Sequence, residues 1–216
     1  NYLENHSKEI YLNLLNKIVK VYFLLLFPAS IGLLGVSNQV MFIMGRGNDN
    51  YLPAAPILMV FSIYMLTVGI DRIIADQILY IFGKEKEDSK LVLIGGVLNL
   101  ILNLILVITN TFTPTTAIGT TLIANLVVIA LEYNLVKKEL NLNINLFAFQ
   151  NIKYLYYSLI FIPITFTINK FIPNVILSCI LDVVICCLVY LIILVATKDG
   201  VFFDLPNDFF YTLSED

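Results

Sequence analysis

The sequence contains few charges and little of what most enzymes use for catalysis. Charged residues make up 13% of the 216 residues, against about 25% in soluble domains. There is no tryptophan and a single histidine, His6, so histidine-based acid–base catalysis is nearly excluded. The net charge of −3 is thinly spread and provides no basic surface, so no nucleic acid partner is expected.

Cysteine is scarce as well, and motifs for metal binding or catalysis are absent. Cys179, Cys186 and Cys187 all lie in one apolar stretch, where an odd number of cysteines indicates neither a disulfide framework nor a metal site. The sequence has no Gly-x-Ser-x-Gly, no His-Glu-x-x-His and no phosphate-binding loop. We therefore expect no enzyme, no catalytic residue, no metal and no cofactor.

Hydrophobic residues, by contrast, are in excess. They make up 59% of the chain, above the roughly 45–50% of soluble domains, and a chain of this size cannot bury that surplus within itself. Six segments are long enough to cross about 30 Å of hydrocarbon, and lipid requires them to be helical. The prediction is an all-α integral membrane protein with six transmembrane helices near residues 18–43, 53–81, 91–109, 115–136, 154–172 and 174–197.

The basic residues between these spans predict their orientation. Ten lysines fall on one side of the predicted membrane, and only Arg46 and Lys170 fall on the other. The positive-inside rule places the lysine-rich side in the cytoplasm, so the protein is predicted in the cell membrane with both termini of this segment cytoplasmic. The interfacial segment 1–17, the connection 139–153 and the tail 199–216 would share that side. The ten lysines are Lys8, Lys17, Lys20, Lys84, Lys86, Lys90, Lys137, Lys138, Lys153 and Lys198.

The second span carries a group of polar residues near its end. Arg72 and Asp76 are four residues apart and share a helix face. Asp71 and Gln77 each lie about 100° from one of them. Polar residues within membrane spans are costly and indicate function. One interpretation is a polar stripe along a water-filled cavity, with Arg72 available to an anionic headgroup. The other is that Arg72 snorkels to the cytoplasmic interface and only neutralises its neighbours.

Polar residues in the later spans allow two interpretations. Gly95, Asn99 and Asn103 are spaced by four on one helix face. Close helix packing with hydrogen bonds from the amides is the favoured reading, and direct substrate contact is the alternative. Asp182 is isolated in the last span, where a structural contact is favoured over a proton or cation site. Glu132 lies near the end of the fourth span and is predicted at the interface.

Six short stretches follow one another in the pattern of a known family. They are residues 26–34 (LFPASIGLL), 41–45 (MFIMG), 51–58 (YLPAAPIL), 77–86 (QILYIFGKEK), 99–104 (NLILNL) and 117–124 (AIGTTLIA). Together they resemble the polysaccharide-biosynthesis (Wzx-type) flippases of the MOP exporter superfamily over about residues 19–138. The chain departs from that pattern at Thr120 and Thr121, where smaller residues are usual, and in the threonine-rich turn before them.

The resemblance implies a fold and a function. Members of the family have twelve to fourteen helices in two six-helix lobes around a central cavity, and they move lipid-linked oligosaccharides across the membrane. This chain would then be the C-terminal part of a longer protein, with a four-helix region at 18–138 and two C-terminal helices within 154–198. Its partners would be membrane lipid, the lipid-linked oligosaccharide and the missing N-terminal lobe of the same protein.

The same resemblance suggests roles for the intramembrane polar residues. Arg72 would neutralise the substrate diphosphate within the membrane. The residues that would offer hydrogen bonds to sugar hydroxyls are Asp71, Asp76, Gln77, Asn99 and Asn103. A drug or metabolite exporter of the same superfamily is the main alternative, and it would use Asp182 or Asp76 as a cation site. A membrane enzyme of glycan assembly and a non-transporting scaffold are the other classes considered.

Overall fold

The computed structural model describes residues 8–140 and 144–204, which are helical throughout except for short turns. A 3₁₀ turn, Asp49–Ala54, leads into α3, and a π-helical turn, Ala75–Leu79, continues it. A further short helix begins at Gly200. The longer helices are α1 Lys8–Gly35, α2 Ser37–Met44, α3 Ala55–Ile74, α4 Glu85–Ile108, α5 Pro114–Glu139, α6 Phe149–Leu159, α7 Phe161–Phe171 and α8 Val175–Ala196.

Five helices of the described residues are long and apolar enough to cross a membrane. The prediction of a helical, multi-pass membrane protein is confirmed at this level. The candidate spans are Ile10–Gly35, Asp49–Leu79, Glu85–Ile108, Pro114–Glu139 and Val175–Ala196. Residues 8–17, predicted as an interfacial segment, form the first turns of α1. Residues 1–7, 141–143 and 205–216, which include most of the predicted tail, lie outside the described residues.

The prediction of six spans is wrong at residues 154–172. Instead of one long helix, the structure has α6 and α7, each 11 residues long. Each is about 16 Å in length, well short of about 30 Å of hydrocarbon. The cause is Pro163, which has no N–H to donate to the Leu159 carbonyl and whose ring crowds it. With five spans, an even number no longer supports the predicted orientation, which rests on the lysine distribution alone.

The chain divides into two compact units, and the first comprises residues 1–32 and 146–216. In its described part, α8 packs against α7 and α6. The Tyr190 hydroxyl of α8 donates to the Leu24 carbonyl of α1 at 2.8 Å. The ring of Phe161 meets that of Tyr190 edge-on, with centroids 6.0 Å apart. Aromatic packing and one buried hydrogen bond therefore join α1, α7 and α8.

The second unit, residues 33–145, is built around α5, which packs against both α3 and α4. Gly95 makes the close approach of α4 possible, because a Cβ there would overlap Cγ2 of Val128. The turn between α3 and α4 reverses at Gly83, whose φ of +69° favours glycine. Thr113 and Thr116 form a reciprocal capping box at the start of α5.

Candidate functional site

Three carboxyl groups meet in the second unit where α3 turns back into α4. Asp71 lies in the last turn of α3, Asp88 in the first turn of α4 and Glu132 in α5. The Glu132 carboxyl is within hydrogen-bonding distance of both other carboxyls. Asp71 is 8% exposed, Asp88 4% and Glu132 0%. These three residues are called the carboxyl cluster below.

The carboxyl cluster corrects the prediction for Glu132, which is fully buried instead of lying at the interface. Helix geometry explains the burial. In α5 the residues at spacings of four, Thr120, Ala124, Val128, Glu132 and Val136, are all buried, because they form the face that packs against the neighbouring helices. Glu132 continues this face, and its position near the end of the predicted span concealed that.

Asp88 was not identified from the sequence, although its helix register contains the signal. It lies seven residues before Gly95, two helical turns earlier on the same face, and these two are the buried residues of α4. Asp88 stands in the acidic first turn of α4 with Glu85 and Glu87. Acidic residues are common in the first turn of exposed helices, so the pattern alone indicates a solvated group.

The carboxyl cluster has no hydrogen-bond donor at its centre. Neither oxygen of Glu132 accepts a hydrogen bond, and neither does Oδ1 of Asp88. The basic groups in this part of the fold are engaged elsewhere. Arg72 approaches Asp76 at 4.0 Å with 59% of its side chain exposed. Lys84 forms a 2.7 Å ion pair with Glu139.

This arrangement constrains the protonation of the carboxyl cluster. Two like charges about 4 Å apart repel by about 4 kcal/mol even at an effective dielectric constant of about 20. A carboxylate oxygen only accepts hydrogen bonds, so contact between two carboxyl groups requires a proton on one of them. The cluster is therefore a place where protons can be held between three helices.

Tyr80 connects the carboxyl cluster to the surface. Its hydroxyl is within hydrogen-bonding distance of the Asp88 carboxyl, and the residue is 43% exposed. The Tyr80 N–H bonds to the Ala75 carbonyl five residues back, at 2.9 Å, which is the π-helical turn that sets this position. Single π turns within helices are frequent at functional sites.

The predicted stripe of polar residues on α3 is divided between two surfaces. Asp71 turns inward to the carboxyl cluster, whereas Arg72 and Asp76 face outward with exposed side chains. Gln77 is half-buried. The 4.0 Å separation of Arg72 and Asp76 exceeds hydrogen-bonding distance, so the guanidinium donors are not committed to that carboxylate.

The predicted amide residues take part in hydrogen bonds between α4 and α5. Asn103 donates to Oδ1 of Asn99 at 3.2 Å and accepts from the Thr120 hydroxyl at 2.8 Å. Asn99 donates to the Thr121 hydroxyl at 3.3 Å. The threonines that depart from the family pattern thus provide the partners of the two asparagines. This geometry agrees with the helix-packing interpretation.

Asp182 does not join the other candidate residues. It is fully buried in α8 of the first unit, whereas the remaining candidates all belong to the second unit. The three cysteines are free thiols. Across residues 8–140 and 144–204, no group of three or more acidic, histidine or cysteine side chains is placed to hold a metal ion, and this includes the carboxyl cluster.

The first unit contains a buried acid of a different kind, Asp199, which follows α8. It accepts hydrogen bonds from Lys153, from the Tyr154 hydroxyl at 3.1 Å and from the Phe202 N–H at 3.2 Å. Burial raises the pKa of Asp199, but these donors and the lysine charge outweigh it and hold the pKa below its usual value. Asp199 is thus a satisfied, ionised group.

Comparisons with known proteins find no matching family model, no matching curated protein and no matching solved structure. The class of protein therefore rests on the helices of the chain itself. Five of them, among the described residues, are long and apolar enough to span a bilayer, which defines a multi-pass helical membrane protein. The resemblance to MOP-type flippases stays a prediction from the sequence motifs.

Proposed function

We propose that this chain is part of a transporter that flips polyprenyl-diphosphate-linked oligosaccharide across the cytoplasmic membrane for cell-surface polysaccharide synthesis. The mechanism is alternating access, in which two lobes rock around a central cavity. The diphosphate and sugars cross through the polar cavity while the polyprenyl tail stays in lipid. The order of the family-like motifs and the five apolar helices support this proposal.

The observation that carries the proposal is the exposed charge on α3. Arg72 belongs to the candidate span Asp49–Leu79, yet 59% of its side chain is exposed. A charged side chain facing hydrocarbon costs about 3 kcal/mol or more, so this surface requires water or a polar partner. The planar guanidinium donates two hydrogen bonds at once and matches the oxygens of a phosphate.

The neighbouring polar side chains suit the sugar portion of the substrate. Asp76 is exposed beside Arg72, and Gln77 follows it. Asn99 and Asn103 already hydrogen-bond with threonines of α5, so the proposal assigns them to helix packing. Substrate contact in this chain then falls mainly to the outward-facing end of α3.

The proposal includes a sixth crossing made of α6 and α7 together. From Phe149 to Phe171 the two helices would extend about 34 Å if collinear at about 1.5 Å per residue, which is enough for the hydrocarbon core. Interrupted helices are frequent in transporters near the substrate path. This arrangement would return both termini of the segment to the cytoplasm, as the lysine distribution predicts.

The test uses the full-length gene in its native host, deleted and then restored. The readout is the membrane face on which the lipid-linked oligosaccharide accumulates. We expect accumulation on the cytoplasmic face after deletion, relief by the wild type and by the control Arg46→Ala, and no relief by Arg72→Ala. Relief by Arg72→Ala would retain the flippase but reduce Arg72 to a snorkelling charge. An unchanged distribution after deletion would contradict the flippase.

An exporter of drugs or metabolites is the second candidate, and the carboxyl cluster favours it. Exporters that exchange their substrate for a cation need a buried acid whose charge can change. Asp71, Asp88 and Glu132 supply such a group without any diphosphate-binding requirement. If deletion leaves the oligosaccharide distribution unchanged but raises sensitivity to toxic cations, this function replaces the flippase.

A further inference from the structure

We propose that the carboxyl cluster of Asp71, Asp88 and Glu132 is a proton-binding site that exchanges with solvent through Tyr80 and controls the packing of α3, α4 and α5. The existence of the site does not depend on the proposed function. Its use in coupling a proton gradient to transport does rest on that function.

The first step of the argument is the orphaned state of Glu132. Its side chain is 0% exposed, and neither carboxyl oxygen accepts a hydrogen bond from the protein. A buried polar atom without a partner is rare and requires an explanation. Here the group faces two further carboxyls, Asp71 and Asp88, and a proton is the smallest species that can satisfy all three.

The second step concerns the charges around the carboxyl cluster. On α3, Arg72 attracts the negative charge of Asp71 while Asp76 repels it. At the α3–α4 turn, Lys84 pairs with Glu139 of α5, so its charge is largely compensated. No other basic side chain is recorded in contact with the cluster among the described residues.

The third step excludes a metal ion as the occupant. The carboxyl cluster lacks the placement that a metal ion would need, and Mg²⁺ or Ca²⁺ would require six or more oxygen ligands. A proton requires only two facing oxygens. Carboxyl pairs that share one proton are a known solution where like charges lie too close for both to ionise.

Tyr80 provides the route by which the proton moves. The half-exposed hydroxyl contacts Asp88, and Asp88 contacts Glu132. A proton from solvent adds to the Tyr80 oxygen as the hydroxyl hydrogen passes to the Asp88 carboxylate, which becomes a carboxylic acid. Asp88 then passes a proton to Glu132. Release reverses these steps, and each cycle changes the charge of the cluster by one.

Loading and release would alter the contact between helices. With a proton in place, hydrogen bonds between carboxyls hold α5 to α3 and α4. Without it, carboxylates from three different helices repel one another across a buried contact. The cluster therefore biases the unit between a tight and a loosened packing, which is the kind of two-state element that a gradient can drive.

Infrared difference spectroscopy on the full-length protein in lipid vesicles tests the site itself. We expect a carboxylic-acid carbonyl band to persist at neutral pH, well above about pH 4 where exposed acids ionise. Glu132→Gln should weaken or remove it, and Asp88→Asn should shift it. The matched control Glu139→Gln, an exposed acid on the same helix, should leave it unchanged. Absence of the band in the wild type would overturn the proposal.

Two further measurements separate the parts of the proposal. After a pH jump, Tyr80→Phe should slow loss of the band about tenfold, and an unchanged rate would exclude Tyr80 as the route. An imposed proton gradient should accelerate transport by the wild type about tenfold and should not accelerate the Glu132→Gln variant. A band with gradient-insensitive flipping would overturn the coupling alone. A band without any flipping would overturn the flippase and leave the proton site standing.

Discussion

The two units of the chain bury acidic side chains in opposite ways. In the first unit, Asp199 is surrounded by donors, namely Lys153, the Tyr154 hydroxyl and the Phe202 N–H. In the second unit, Glu132 is buried as deeply but receives no donor and faces other acids. A buried acid with a complete set of donors stabilises the fold as a carboxylate. A buried acid among acids is stable only when protonated, which is useful where a charge has to change.

The largest expected effect comes from removing the lysine that pairs with Asp199. Lys153→Ala leaves a buried carboxylate without its counter-charge, so we expect the free energy of unfolding to fall by about 3 kcal/mol. Denaturant unfolding in detergent, followed by thiol labelling of the buried Cys186, measures it. The control Lys84→Ala removes an exposed ion pair and should cost less than about 1 kcal/mol. Equal losses would remove the distinction between the two pairs.

Packing at Gly95 should give the next largest effect. A Cβ in Gly95→Ala would overlap Val128, whose branched side chain has one preferred rotamer in a helix, so we expect a loss of about 2 kcal/mol. Gly96→Ala is the matched control, because nothing lies within 4 Å of its Cβ position. Val128→Ala should restore stability to the Gly95→Ala variant. If both glycine variants behave alike in thermal unfolding, close approach is not what holds α4 to α5.

Amide substitutions compare the two acids directly. Asp199→Asn loses the charge that three donors satisfy, and we expect a cost of about 1.5 kcal/mol. Glu132→Gln instead provides an N–H₂ group that can donate to Asp71 and Asp88, so stability should stay the same or rise by up to about 1 kcal/mol. Chemical denaturation of both variants side by side gives the answer. An equal loss in both would show that the two acids have the same role.

The pH dependence of the first unit should be the smallest effect. The pKa of Asp199 is below its usual value in the folded state, so its contribution to stability is complete above the unfolded pKa of about 3.9. It is lost as the pH falls from there through the folded pKa. Circular dichroism melts between about pH 5 and pH 2 should show a steeper fall for the wild type than for Asp199→Asn. Parallel curves would contradict a depressed pKa.

The helices themselves were largely predictable from composition and run length. Four of the first four predicted spans and the last one correspond to helices long enough to cross a membrane, because lipid leaves the backbone no other way to satisfy its hydrogen bonds. The break at Pro163 was also readable in principle, but the prediction weighed hydrophobicity above the missing N–H. A local backbone rule was overlooked in favour of an average over many residues.

The candidate site was less predictable than the fold. Arg72 and Asp76 were recognised as neighbours because their spacing of four is a property of one helix. Glu132 and Asp88 were not, because a charge near a helix end is usually solvated, and only contact with other helices shows otherwise. Asn99 and Asn103 had the right face but their partners, Thr120 and Thr121, follow from how α4 meets α5.

The sequence by itself determined that the chain is helical and apolar enough for a membrane, and which residues share a face of each helix. Both follow from local physics, namely the exclusion of water from lipid and the 3.6-residue turn. The tertiary structure alone decided that Asp71, Asp88 and Glu132 meet while Asp199 acquires Lys153 and Tyr154. These contacts join residues far apart in the chain, and their free energy depends on which groups exclude water together, which no single helix can specify.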